Sequence, residues 1–299
     1  MSEVNFKHNL KADRNSMLEK NNTKNDQIQH NTTKTNMNLN YEPDVNLILE
    51  METENHEIRD KITITPNGMI GSLREKINDN DTTTYFGYKF DKETQNNIDY
   101  YLPSYPTGKS TEIKENTNNM LNTNNSFDKN KGAFFKIYFD TNKRMYFLQD
   151  LGVGYGTFVK LQEETIIKEN SIINIGESYL IFSFDKKNLQ VNQEINDDDL
   201  FLKIYSNENE YEPIICKNNP EIIYTVGRSE KCDVLIKDKM LSRIHCILTY
   251  IDNNWYIRDG NEDGNDSTNG TWLYASDETE IKDGLIFKSN SCNFLCQYQ

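Results

Sequence analysis

From about Lys61 onward, short runs of β-branched and aromatic residues alternate with polar positions and are punctuated by Gly, Asn and Asp. That rhythm is the signature of half-buried strands joined by tight turns. It predicts one set of strands over Phe134–Phe139, Met145–Leu148, Ile172–Ile175 and Tyr179–Phe184. A second set falls on Phe201–Tyr205, Tyr224–Val226, Asp233–Ile236, Cys246–Ile251 and Trp255–Arg258. No segment in either region holds a 3.6-residue apolar period, so the expected fold class is all-β, a sandwich or a barrel. Residues 1–58 contrast with this. They are rich in Asn, Lys, Thr, Asp and Glu and hold few aromatics, too little apolar surface to offset the entropy of ordering them. They are expected to form a flexible tail, with one apolar cluster from Tyr41 to Met51 as a docking segment.

The two strand sets repeat. A strand, a tight turn, a second strand ending in Asp, a loop and a Gly-Thr step occur from Phe134 to Leu161 and again from His245 to Tyr274. An earlier pair, Gly68–Ser72 and Tyr224–Ser229, extends the match, so two copies of one β-domain are expected. The predicted organisation is a tail over 1–58, a first sandwich over 59–185 with an inserted Asn-rich loop at 106–131, a polar linker over 186–199, and a second sandwich over 200–299.

Only 35 % of the 299 residues are hydrophobic, and the formal net charge is −14. An acidic balance of that size excludes general nucleic-acid binding, which needs a basic stripe. No run approaches the roughly 18 apolar residues of a spanning helix, and no membrane insertion is expected. The five cysteines, all in the last third and without regular spacing, read as reduced thiols. A cytoplasmic location is expected, with the cytoskeleton, a cilium or the nucleus as alternatives. Cys292 and Cys296 have no neighbouring histidine, so no metal site or cofactor is expected. No nucleophile–base–orienter set is identifiable either, and the chain is expected not to be an enzyme.

Candidate chemistry concentrates in the second copy. Gly227-Arg228-Ser229, Ser242-Arg243-Ile244-His245 and Ser267-Thr268-Asn269-Gly270-Thr271 follow one another along its strands. In these three motifs, by their order and spacing, residues 200 to 299 resemble the forkhead-associated (FHA) domain family. The resemblance implies a two-sheet antiparallel β-sandwich, and with the repeat two antiparallel β-sandwich domains in tandem, with loops at one end that bind a phosphothreonine peptide. The residue chemistry agrees. A phosphothreonine brings close to two negative charges and three acceptor oxygens, and the Arg228 guanidinium meets such oxygens with charge-assisted bonds. Ser242 adds a hydroxyl donor, and Arg243 adds charge and a backbone N–H. Asn269 offers a donor and an acceptor to the peptide backbone, while Thr268 shapes a methyl subpocket. Gly227, His245 and Gly270 are implied supports of the site, His245 as a brace rather than a catalyst. Glu262, Asp263 and Asp266 stand in an insertion beside the Asn-Gly turn. Either they oppose the phosphate or they face solvent and are screened.

The first copy resembles the family less. Ser72 stands after Gly71 where the arginine is expected, Ile98-Asp99-Tyr100 occupies the region of the Ser-Arg-x-His element, and Val153-Gly154-Tyr155-Gly156 replaces Ser-x-Asn-Gly. It reads as a degenerate copy used for packing or contact. Two functions follow as expectations. One is an adaptor whose partner is a phosphorylated protein or peptide. The other is a structural subunit of a large protein assembly, using both sandwiches as surfaces that need no phosphate.

Overall fold

In a computed structural model the alternating runs become twenty-one strands, and no α-helix occurs among the described residues. Those residues are 45–54, 56–76, 81–88, 97–103, 132–184, 196, 198–206 and 209–299. In chain order the strands are β1 (Leu47–Thr53), β2 (Arg59–Thr65), β3 (Gly68–Met69), β4 (Thr84–Gly87), β5 (Tyr100–Tyr101), β6 (Ala133–Asp140) and β7 (Met145–Asp150). Next come β8 (Thr157–Lys160), β9 (Thr165–Ile166), β10 (Ile172–Ile175), β11 (Ser178–Ser183), β12 (Leu200–Tyr205), β13 (Ile214–Cys216) and β14 (Ile223–Gly227). The last are β15 (Val234–Leu235), β16 (Cys246–Ile251), β17 (Asn254–Asp259), β18 (Thr271–Tyr274), β19 (Thr279–Glu280), β20 (Ile286–Ser289) and β21 (Cys292–Tyr298).

The chain divides into two compact units. The described residues of one run from Phe158 to Tyr274, and those of the other comprise Val45–Thr157 and Ala275–Gln299 where described. In the first unit, strands in the order β13-β12-β11-β10-β18-β8 form one layer and β15-β14-β16-β17-β9 the other. Alternate residues of each strand point inward, as the period of two requires. Ile173, Ile175, Leu180, Phe182, Leu202, Ile204, Val226, Leu248, Trp255 and Ile257 thereby form one buried cluster. Trp255, 1 % exposed, satisfies its indole by donating to the Asp198 carbonyl at 2.8 Å. In the second unit the layers are β20-β21-β1-β2-β3 and β19-β7-β6-β4-β5. Its centre is four phenylalanines. Phe86 stacks on Phe135 and Phe287 on Phe294, each pair with ring centroids 4.5 Å apart, and Phe135 meets Phe287 edge-on at 5.3 Å.

Within each unit the same pairing recurs: β4 runs parallel to β5 and antiparallel to β6, which pairs with β7. Likewise β14 is parallel to β15 and antiparallel to β16, which pairs with β17. Among the described residues the ladders are therefore antiparallel apart from one short parallel pair in each unit.

Three expectations change. The tail does not extend to residue 58, because Leu47–Thr53 is a central strand held between β2 and β21. Leu47 and Leu49 are 0 % exposed. Both partners follow it in the chain, and β21 stands at the far end, so the run by itself shows neither pairing. Residues 1–44 and all of 104–131 lie outside the described residues. The domain boundaries also move, to 157/158 and 274/275. Strands β9, β10 and β11, placed by sequence in the first sandwich, pair with β17, β18 and β12. Strands β19 and β21, placed in the second, pair with β7 and β1. Finally, the end of the supposed linker is built in. Asp199 is 0 % exposed and accepts from Lys217 Nζ at 2.9 Å; residues 186–195 and 197 lie outside the described residues.

Candidate functional site

The register of β14, β16 and β17 explains how separate motifs converge. Val226 pairs with Cys246, and Cys246 with Asp259, so the end of β14, the start of β16 and the end of β17 share one edge of their sheet. Arg228 leaves β14 there, Ser242 and Arg243 approach β16, and Thr268 and Asn269 lie on the loop from β17 to β18. The structure brings all five sequence-predicted residues to this edge. Arg228, Arg243, Thr268 and Asn269 are exposed, and Ser242 is half-buried.

Hydrogen bonds stitch the loops. Arg228 donates its backbone N–H to the Ser242 carbonyl at 3.2 Å and its Nε–H to the Leu241 carbonyl at 2.7 Å. The guanidinium is thus oriented through its inner nitrogen, which leaves its two outer NH2 groups without a partner among the described residues. Ser242 Oγ accepts the Thr268 N–H at 3.0 Å and lies 3.3 Å from Thr268 Oγ1. Asn269 donates Nδ2 to the Met240 carbonyl at 2.7 Å, presenting its side-chain oxygen as an acceptor. Among the described residues, neither Arg228 nor Arg243 is ion-paired to a carboxylate. Glu262, Asp263 and Asp266 are exposed on a loop closed by Asn261, whose N–H donates to the Asn265 carbonyl at 3.0 Å and whose carbonyl takes Arg258 Nη2 at 2.7 Å.

Beneath these loops lies a polar layer. His245, 0 % exposed, accepts the Ser242 N–H at Nδ1 (3.1 Å), so its proton sits on Nε2, which donates to the Gly270 carbonyl at 3.1 Å. Burial pushes the pKa of this imidazole down. With both nitrogens engaged, His245 braces the loops and is not placed to act as a base. Asp259 accepts from Ser267 N at 2.9 Å, Ser267 Oγ at 2.7 Å and Thr271 Oγ1 at 2.5 Å, and Ser267 Oγ in turn accepts the Gly270 N–H at 2.9 Å. The sequence reading assigned no role to Asp259 or Ser267. The signal was present as the strand-terminal Asp that recurs at Asp150.

Two expected results follow. A Cβ on Gly227 would lie 2.3 Å from the Arg243 carbonyl oxygen. Gly227→Ala must therefore part the loops carrying Arg228 and Arg243, and should lower thermal stability and move both arginines' NMR resonances together. For pH, the folded pKa of His245 lies below its unfolded value, so the unfolded state binds the extra proton. Its contribution to stability is full above the unfolded value near 6.5 and declines as pH falls from there toward the lower folded value. Urea midpoints between pH 7.5 and 5 should fall in the wild type, and fall less in His245→Gln.

The corresponding edge of the other unit corrects the alignment of the first copy. Gly87, not Gly71, ends the strand equivalent to β14: a Cβ there would lie 2.0 Å from the Gly132 carbonyl oxygen, as one on Gly227 would from that of Arg243. Leu102 N donates to Gly87 O as Ile236 N does to Gly227 O, and Leu151 N to Phe134 O as Gly260 N does to His245 O. Tyr88 thus stands where Arg228 stands, Gly132 where Arg243 stands and Phe134 where His245 stands. Tyr88 and Phe134 meet edge-on at 4.8 Å. Ser72 and Asp99 instead join Arg74 in a buried polar cluster, in which Arg74 Nε donates to Asp99 at 3.0 Å and Ser72 Oγ to the same carboxylate. Ile98-Asp99-Tyr100 leads into β5, the short parallel strand, and is not the equivalent of the serine–histidine element.

Residues 224–288 match the family model described as FHA domain. This stretch contains all three motifs and the edge just described. Domains of this family are interaction modules that bind phosphorylated proteins or peptides. Among solved structures, the crystal structure of the Slr1951 protein from Synechocystis sp. is similar at 30 % identity over 29 % of this chain and 84 % of that chain, with a TM-score of 0.19. None of the curated proteins matches the chain significantly.

Proposed function

We propose that the chain is a phosphothreonine-peptide-binding adaptor acting through the edge where Arg228, Ser242, Arg243, Thr268 and Asn269 meet. The carrying observation is that Arg228 is anchored at Nε by the Leu241 carbonyl while exposed and free of a described carboxylate partner. An oriented fork of this kind can bind two phosphate oxygens side by side without first breaking an ion pair. Arg243 adds the second charge and Ser242 the neutral donor. Asn269 takes a peptide N–H on its side-chain oxygen, and Thr268 borders the methyl group. The role is recognition rather than turnover, because both His245 nitrogens are committed to the loops. The acidic residues of the 260–266 insertion favour ligands with a basic residue near the phosphothreonine. The other unit, with Tyr88 and Phe134 in place of arginine and histidine, is a degenerate copy serving packing or protein contact.

The test is titration of the full chain with a phosphothreonine peptide library and its unphosphorylated counterparts. Binding confined to phosphorylated members is expected. Equal binding of both would favour the structural-subunit reading.

A further inference from the structure

We propose that Asp238 is a positioning residue for the peptide-binding loop, acting through the β10–β11 hairpin; the inference rests on the phosphopeptide reading above. Residues 238–242 lie between β15 and β16 and offer the carbonyls that orient the site. Met240 O receives Asn269 Nδ2 at 2.7 Å, Leu241 O receives Arg228 Nε at 2.7 Å, and Ser242 O receives Arg228 N at 3.2 Å. Something outside the loop must fix where those carbonyls point, since no strand ladder runs through it.

Asp238 supplies that restraint. Its carboxylate belongs to a residue only 8 % exposed. Oδ1 accepts the Met240 N–H at 2.8 Å, and Oδ2 accepts the Glu177 N–H and the Ser178 hydroxyl, each at 2.8 Å. Its own carbonyl takes the Leu241 N–H at 3.2 Å. Ser178 is sixty residues upstream, on the hairpin that the sequence places in the other sandwich. The hairpin turn is shaped for this approach. Gly176 has φ +54°, and a Cβ there would lie 2.9 Å from both Asp238 Oδ2 and Met240 Cβ. Hydrogen bonds to an ionised, shielded carboxylate are the strong kind. They set the Met240 and Leu241 carbonyls before a ligand arrives, which lessens the ordering that binding must supply.

The test compares the full-length wild type, Asp238→Asn and Ser178→Ala. Calorimetry measures affinity for a phosphothreonine peptide and its plain counterpart, and NMR follows the Arg228 Nε–H resonance and amide exchange at Met240 and Leu241. Roughly tenfold weaker phosphopeptide binding is expected for Asp238→Asn, and about threefold for Ser178→Ala. In both, the Arg228 Nε–H line should shift and Met240 should exchange faster, while amides of β16 and β17 stay protected. Unchanged Arg228 and Met240 signals would overturn the inference, as would a loss of protection spread evenly over the unit, which marks a merely structural role. A wild type that ignores phosphorylation would instead overturn the ligand reading, and the NMR comparison would still decide for or against Asp238.

Discussion

Arg228→Ala is expected to weaken phosphothreonine-peptide binding by about 1.5–3 kcal/mol, roughly ten- to hundredfold, the range for hydrogen bonds to a charged group. Its stability should change little. The side chain is exposed, and the bond lost inside the protein is the one from Nε to the Leu241 carbonyl, which water can replace. The effect should therefore appear in affinity and leave the urea midpoint nearly untouched. Arg228→Lys should recover part of the charge but not the two-pronged geometry, so an intermediate affinity is expected. If titration calorimetry finds the alanine variant binding as tightly as the wild type, the phosphate sits elsewhere and the assignment of this edge is wrong.

Asp259→Ala should do the opposite, with its largest effect on folding. Three donors converge on this carboxylate, from Ser267 N, Ser267 Oγ and Thr271 Oγ1, all on residues less than a tenth exposed. Leaving buried donors unsatisfied costs about 1–3 kcal/mol each, and at least one hydroxyl can turn to another partner. A loss of about 3 kcal/mol or more is expected in urea unfolding, a large fraction of a typical domain's stability. Because Ser267 also fixes Gly270 N, the Thr268–Asn269 turn should loosen and peptide affinity should fall with it. An unfolding curve within about 0.5 kcal/mol of wild type, the size of an ordinary surface change, would show that the layer beneath the site is not what holds it.

The arrangement places recognition on exposed loops while a buried set of polar side chains determines their shape. His245, Ser267 and Asp259 join the β16, β17 and β18 ends, and Asp238 ties the remaining loop to β10 and β11. Loops carry function best when a rigid scaffold holds them, and here the scaffold consists largely of carboxylates and one neutral imidazole. Protonating His245, whose pKa burial holds below the ordinary imidazole value, removes the acceptor that Nδ1 offers to the Ser242 N–H, so acid should loosen that loop.

Local chemistry was enough to read much of this from the chain alone. Alternation of apolar and polar residues is a property of each strand by itself, so the all-β class and strands such as Cys246–Ile251 were legible. Arg228, Ser242, Arg243, Thr268 and Asn269 stood out only through the family resemblance that their three short motifs carry, and the pairing of β14, β16 and β17 brings them to one edge. Pairing is not local. Ile172–Ile175 with Ser178–Ser183 has the same character as Ile286–Ser289 with Cys292–Tyr298, and either hairpin has the pattern to close either sandwich. Only tertiary packing selects β10–β11 for the unit of Phe158–Tyr274 and β20–β21 for the unit that holds Leu47–Thr53. The same choice brings Ser178 to Asp238, while the pairing of β4 with β6 puts Gly87, rather than Gly71, at the edge equivalent to that of Gly227. A side-chain period of two tells a strand which face to bury, and it carries no information about which of two equivalent edges will receive it.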